Sequence, residues 1–393
     1  MTAKNISVLV VDGTPRHTID IVRSLGKHEI SVSIVSSERY PPARFSRYLH
    51  EQIVSRSSST ILEDMADELV DIAGSGRFDV FIASGLTGFR ALSYAAPRLS
   101  PYVRVPIVDF DKFTLAEDKG DITRYAEAAG VPVPTTYYPF TLDDLSDLAH
   151  IRYPVIVKAR RGQGHFAYAA NHAELLQQTY PSICAQVPDQ IRAGIMPIVQ
   201  ELVRGKGHGF YALMNQGRLK SYFMHERVHE VPPSGGPSAM AKSYYDEELI
   251  AVGSQLLQEL GWHGVAMVEF KKDRDDGQYK LIEINPKFWG SLGLSIAAGV
   301  DFPYLLVKMA LAGDVEFVPP PRDPVLYQWL SMDMAHSWAV HRPFLWLKSV
   351  LQGVPNDFRF NDPLPNLALI GQGGMDVLRG NRSVTKPGDN QVG

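Results

Sequence analysis

The strand signals of this chain change character once, near residue 151, and that change restricts the folds open to it. Before it, apolar runs alternate with amphipathic helices. Ile6 to Val11 is a Val-rich run of the kind found in a strand buried on both faces. "DGTPRHTIDIVRSLGKHE" then reads as a turn and a helix, and "ISVSIVSS" as the next strand. The helix "ILEDMADELVDIAGSG" and the strand "FDVFIASG" repeat the pattern. This rhythm predicts a parallel sheet with right-handed crossovers. After residue 151 the strands come in pairs with short turns. "YPVIVKAR" and "HFAYAAN" flank "RGQG", two further strands flank Asn215-Gln216-Gly217, and "GVAMVEFKKD" and "QYKLIEINP" flank "RDDG". The predicted class is therefore α/β followed by a mostly antiparallel α+β section.

The first third lacks G-x-G-x-x-G after its opening strand and has Asp12-Gly13-Thr14-Pro15 there instead. The expectation is a Rossmann-like domain serving as scaffold or facing a substrate, rather than a dinucleotide site. Between the two sections, Thr114 is expected to cap a helix running through "DITRYAEAAG" and ending at Gly130, with Pro132 and Pro134 blocking its resumption. Beyond Pro319-Pro320-Pro321, a Trp- and Pro-rich section reads as an accessory cap, and "RGNRSVTKPGDNQVG" as a mobile tail.

The net charge of -4, spread over interspersed acids and bases, gives no reason to expect nucleic acid or an anionic membrane as partner. The apolar stretches are much shorter than the ~20 residues of a membrane span, and the first residues lack a signal-peptide pattern. The single cysteine, Cys184, excludes an intramolecular disulfide and fits a reducing compartment. Its surroundings, "YPSICAQV", offer no base, so a nucleophilic role is not expected. A cytoplasmic location is.

The chemistry concentrates in the last hairpin. Residues two apart share a strand face, so Glu283 and Asn285 project together, and Glu269 lies on the strand paired with theirs. Their neighbours Leu281, Ile282 and Ile284 do not suit an exposed edge hairpin with solvated acids, which is the alternative. Carboxylates side by side on such a strand are costly to ionise without a cation. Three oxygen ligands suit a hard cation such as Mg²⁺, with Mn²⁺ as a second choice. Upstream, Lys158 ends an apolar strand just before a loop with Gly162 and Gly164, which suits an anion such as phosphate. The segment "IVQELVRGKGHG" could read a base through its backbone, with Glu201 and His208 as polar candidates for a sugar or amino group.

Taken in order, these parts resemble the ATP-grasp superfamily, over about residues 1–315. The resemblance rests on "DK" at Lys119, "VIVKA" at Lys158, Gln200-Glu201-Leu202-Val203 and, most specifically, "VEF" followed by "LIEINPKFWGS". It implies a Rossmann-like domain (1–110), two ATP-grasp lobes (111–205 and 206–318) and a C-terminal accessory segment (319–393). It also implies ATP between the lobes, with Lys119 and Lys158 on its phosphates and Glu201 and Val203 around the adenine. Glu269, Glu283 and Asn285 would hold one or two Mg²⁺. The implied reaction activates a small carboxylate as an acylphosphate, then couples it to an amine, with an amino acid or short peptide as the expected substrate class.

Relatives often have arginine after E-x-N-P where this chain has Lys287, which keeps the charge but not the bidentate fork. Arg227, in "HERVHEVPPSGGPSA", is therefore the second candidate for an anion clamp; that loop resembles those of the carbamoyl-phosphate-synthase-like and amino-acid-ligase branches. Two alternatives stay open: a nucleotide-binding regulatory module without turnover, and a bicarbonate-using relative. The section after residue 320, with Trp329, Trp338 and Trp346, is expected to cap the site or to form a homodimer interface.

Overall fold

The computed structural model describes residues 6–57, 61–162, 167–233 and 236–378. Gly164 and the tail from residue 379 lie outside the described residues. The first sheet is built from β1 (Ser7–Val11), β2 (Ser31–Ser36), β3 (Leu49–Val54) and β4 (Val80–Ala83), all parallel in the order β3-β2-β1-β4. Val8, Leu9 and Val10 are completely buried. Helices α1 (Thr18–Lys27) and α2 (Leu62–Gly74) make the β1–β2 and β3–β4 crossovers, and α3 (Leu86–Leu99) follows β4.

The expected single helix after residue 110 is two, α4 (Phe110–Glu117) and α5 (Lys119–Ala128). Thr114 is inside α4, its hydroxyl donating to Phe110 O at 2.8 Å, and Asp118 is the cap of α5. Gly130 does end α5, with φ 72°, a left-handed conformation that costs glycine little.

A small antiparallel sheet follows, in the order β5-β8-β6-β7: β5 (Thr136–Tyr137), β6 (Val155–Lys158), β7 (Ala167–Ala170) and β8 (Ile198–Glu201). Helices α6 (Ala173–Gln186) and α7 (Pro188–Arg192) precede β8. This sheet and α6 enclose a hydrophobic core of their own.

The third sheet is laid down by β9 (Gly207–Asn215), β10 (Arg218–Glu230), β11 (Ser238–Ser243), β12 (Gly264–Lys272) and β13 (Tyr279–Asn285), with α8 (Glu247–Glu259) on one face. β9 and β10 turn tightly at Gln216-Gly217, both with positive φ, which matches the right-handed twist of the strands. After α9 (Leu292–Ala297) and α10 (Phe302–Ala312), a short β14 (Leu326–Gln328) pairs with β11, giving the order β13-β12-β9-β10-β11-β14.

Residues beyond Pro321 thus contribute a strand to this sheet rather than only covering it. Helices α11 (Leu330–Ala339), α12 (Leu345–Leu351) and α13 (Leu364–Leu378) complete the chain. This segment also grips the elements around the first sheet: buried Asp362 takes Arg23 Nε at 2.8 Å and Ser46 Oγ at 2.8 Å. Among the described residues no helix is long and apolar enough to cross a membrane.

Candidate active site

One face of the six-stranded sheet gathers most of the singled-out residues. Glu269 stands directly opposite Glu283, and Asn285 opposite Met267. One extra residue, Ile282, bulges β13 beside Glu283; bulges of this kind commonly re-aim side chains next to functional sites. The two glutamate side chains are 28% and 26% exposed, so a ligand in the cleft can reach both. Burial and the facing Glu283 push the Glu269 carboxyl up to about 7. Glu283 moves down instead: burial raises it, but Lys119, the Asn285 amide and Lys158 outweigh burial. Asn285 Nδ2 donates to Glu283 Oε1 at 2.8 Å, and Lys119 Nζ lies 3.3 Å from Glu283 Oε2.

These donors fit a hard cation that completes its shell elsewhere. Among the described residues no three His, Cys, Asp or Glu side chains gather into a metal cage. Two carboxylates and an amide are the set Mg²⁺ uses when substrate phosphates supply the remaining oxygens. The space for such a ligand is built in. Gly209 pairs with Glu269 and Gly207 with Lys271, so no side chain of β9 stands across from either charge. A Cβ at Gly207 would project into open space. The resulting cavity, about 460 Å³, is lined by Gly207, Gly209, Arg227, Glu230, Glu269 and Lys271 among others.

Asp118 explains how the lysines arrive there. Its fully buried carboxylate caps α5, accepting from Gly120 N at 3.0 Å and Asp121 N at 3.2 Å. The same carboxylate takes Arg160 Nε at 2.5 Å and Arg161 Nε at 2.9 Å. Both arginines of the glycine-bearing turn therefore tie the end of β6 to the start of α5, which carries Lys119. A Cβ at Gly120 would meet Arg160 Nε at 2.7 Å, so any larger residue would have to displace that guanidinium from Asp118. Asp118→Ala removes one partner of a buried ion-pair cluster and a helix cap together. We expect it to lower stability by about 3 kcal/mol, read from the urea midpoint.

Lys158 is buried at the end of β6, and its Nζ donates to Gln200 Oε1 at 2.6 Å. Burial holds its ammonium down to about 8, against the pull of Glu283. Gln200 in turn donates to Thr136 Oγ1 at 2.9 Å, so its side chain positions Lys158. Gly162 is exposed just beyond, at φ 100°.

In the connecting segment, Glu201 N and Leu202 N are already engaged, with Thr135 O at 2.9 Å and Pro154 O at 3.1 Å. Glu201 Oε1 lies 3.3 Å from Arg152 Nη1, and Val203 O accepts from Lys271 Nζ at 3.3 Å.

His208 borders the same cavity as Glu269, but its side chain turns away from the glutamates. It pairs with Phe270 across β12 and so shares the sheet face opposite to Glu269. There its Nδ1 bonds Tyr244 OH at 2.7 Å, and its ring meets Tyr279 edge-on. The histidine considered for a sugar or amino group is therefore turned toward the α8 side.

Arg227 turns toward the glutamates: its guanidinium bonds Glu230 at 3.1 Å and lies 3.6 Å from Glu269. Together with Tyr211, His225 and Met267 it also borders a smaller cavity of about 120 Å³, walled on the far side by Arg16, Trp289 and Ser291. His225 is neutral there, held down to about 3 by burial and then by Arg227. Its Nε2 meets Tyr211 OH at 2.5 Å and Ser291 Oγ at 2.7 Å. Trp289 Nε1 is buried in this wall and has no hydrogen-bond partner among the described residues. Lys287 is half-buried nearby; burial lowers its ammonium, opposed by Glu283, Glu269 and Asp12.

Asp118, Arg16, Lys271 and His225 were not singled out from sequence. The D-x-x-D spacing of Asp118 and Asp121 is a capping signal, and Lys271 follows Glu269 at strand period. Arg16 left no local trace. Cys184, in α6, has its thiol raised by burial and takes no part.

The comparisons with known proteins agree with this geometry. Residues 225–332 match a family described as ATP-grasp in the biosynthetic pathway with Ter operon. No curated protein matches the sequence.

Among solved structures, the biotin carboxylase domain of Hydrogenobacter thermophilus 2-oxoglutarate carboxylase, crystallised with MgADP, ADP and bicarbonate, is similar at 15% identity. It superposes with a TM-score of 0.69, covering 82% of this chain and 74% of that one. An L-amino acid ligase from Bacillus licheniformis is 17% identical, with a TM-score of 0.63, covering 83% and 80%. N5-carboxyaminoimidazole synthetase from Staphylococcus aureus, with ADP, is 16% identical, with a TM-score of 0.64, covering 87% and 88%. The family match spans the hairpin that carries Glu269, Glu283 and Asn285, and the superpositions show that the chain shares the fold of these enzymes.

Proposed function

We propose that the protein is an ATP- and Mg²⁺-dependent ligase that activates a small carboxylate as an acylphosphate and joins it to an amine, releasing ADP and phosphate. One observation carries this reading. Lys119 and Lys158, suited to phosphates, converge on Glu283, whose partners Glu269 and Asn285 suit the accompanying cation. Mg²⁺, or Mn²⁺ in its place, would be held by those three residues and would neutralise charge on the transferring phosphoryl group. Lys119 and Lys158 bind and orient the triphosphate beside the connecting segment Gln200–Val203, and Gly162 lets the backbone approach it.

Arg227 and Lys287 hold the carboxylate, with the cavity bounded by Arg16 and Trp289 receiving the rest of that substrate. At about 120 Å³ this cavity suits bicarbonate or a small amino acid. A carboxylate oxygen attacks the γ-phosphorus as the bond to ADP breaks. The amine nitrogen then attacks the acyl carbon, and phosphate leaves with that oxygen. Preorganised cations around the γ-phosphoryl group are the main service the protein supplies.

The proposed division falls at residues 110, 205 and 318; the three separate sheets support it, and β14 crosses back into the sheet of the second lobe. Phe344, Leu351 and Phe360 are exposed on the last segment, which supports its reading as a homodimer interface.

The test is phosphate release from ATP over a matrix of carboxylates (bicarbonate included) and amines. Amine-dependent release of ADP and phosphate is expected; tight ATP binding with no turnover across the matrix contradicts the proposal. With an active pair, Arg227→Ala and Lys287→Ala should each raise KM for the carboxylate about 10- to 100-fold and leave that for ATP within about twofold.

A further inference from the structure

A cavity of about 490 Å³ lies outside the carboxyl ends of β1, β2 and β3, apart from the cleft described above. The strand order β3-β2-β1-β4 reverses between β1 and β4, where open parallel sheets take their ligands, and Asp12 after β1 and Thr87 in α3 after β4 bring the cavity to that crevice. Among the described residues, six that bear hydroxyls and three carboxylates, Asp12, Glu38 and Glu68, line it, and no lysine, arginine or histidine does.

The wall is fixed rather than incidental. Buried Glu68 accepts from Ser55 Oγ and Ser57 Oγ, each at 2.6 Å, and from Arg56 N at 2.8 Å. Thr14 Oγ1 and Ser36 Oγ bond at 3.1 Å. Asp12 is held left-handed, at φ 66°, between the first strand and the start of α3. Gly88 leaves room for it, since a Cβ there would meet Asp12 Cβ at 2.8 Å.

Chemistry of this kind repels phosphates and carboxylates and attracts hydroxyls and ammonium groups. The cavity also adjoins the reaction site. Arg16 Nη2 donates to Gly290 O at 3.1 Å, and Phe89 meets Phe288 edge-on at 6.1 Å. These contacts hold the Lys287–Ser291 segment against the end of the sheet that carries Asp12.

We propose that this cavity recognises the amine substrate and selects a hydroxylated amine without phosphate, with the bulk of an amino sugar. That the bound amine is then acylated rests on the ligase reading above; the recognition itself does not. Asp12 and Glu38 supply the charge that pairs with the ammonium group, and the serine and threonine hydroxyls read the ligand's own.

Titration of the full chain with D-glucosamine and D-glucosamine 6-phosphate, followed by saturation-transfer NMR, tests this. Glucosamine should bind, its 6-phosphate at least about tenfold more weakly, and Asp12→Asn and Glu38→Gln should each weaken glucosamine about tenfold, the scale of one charge-assisted hydrogen bond. Asparagine tolerates the left-handed conformation, so Asp12→Asn should melt at the wild-type temperature. No binding of glucosamine, tighter binding of the phosphate, or binding indifferent to both substitutions overturns the proposal. Glu283→Gln should keep glucosamine binding while losing turnover. Failure of the ligase reading with glucosamine binding intact is thus distinct from failure of the cavity assignment.

Discussion

Glu283→Gln is expected to reduce ATP turnover by on the order of 10²–10³-fold, the scale for removing one preorganised electrostatic partner of a transferring group. The fold should survive, because glutamine can still accept from Asn285 Nδ2, as Glu283 does at 2.8 Å. Three losses coincide in this variant. The cation loses a charged ligand, Lys119 loses the carboxylate 3.3 Å away that aims it, and Glu269 loses the neighbour that opposes its ionisation. Mn²⁺ electron paramagnetic resonance supplies a readout independent of activity: the bound-metal signal in the presence of ATP should vanish. Near-normal turnover with an unchanged signal would remove Glu283 from the site.

Lys158 gives the second large effect, and it depends on pH. In the free protein its ammonium titrates at about 8, below the ordinary 10.5, because of burial. Triphosphate stabilises the charged form and draws that value back up. Binding therefore takes up a proton at pH values above 8 and up to the bound value, and ATP affinity falls as pH rises through that window. Calorimetry in two buffers of different ionisation enthalpy measures the uptake. Lys158→Met should weaken ATP about 100-fold near neutrality, where the charge it lacks would be present. Lys158→Arg should bind ATP without the pH edge, though less well than wild type, since arginine cannot reproduce the contact with Gln200. Equal proton uptake by wild type and Lys158→Arg would assign the edge to another group.

Much of this site could be read from the chain because its central feature obeys strand periodicity. Glu283 and Asn285 are two apart, and a short connection forces the strand bearing Glu269 alongside them. Strand parity also sets the side to which His208 turns. Its neighbours suggested a loop, but β9 begins at Gly207, and pairing with Phe270 turns the imidazole to the far face.

The helix boundary at Asp118 was missed because Thr114 is also a capping residue type. What decides between them is the pair of arginines 42 and 43 residues away that Asp118 binds. Arg16 and Gly290 are 274 residues apart, and no local pattern announces such a contact. The strand β14 was hidden for a related reason: three residues, Leu326–Gln328, become a strand only because β11 offers an edge.

The acylphosphate route makes one oxygen atom change partners, and following that atom tests the route itself. An active carboxylate–amine pair would be run with the carboxylate labelled with oxygen-18, and the released phosphate examined by ³¹P NMR or mass spectrometry. One label is expected in each phosphate released, with ADP as the other product. Unlabelled phosphate, or AMP and pyrophosphate as products, would contradict that route.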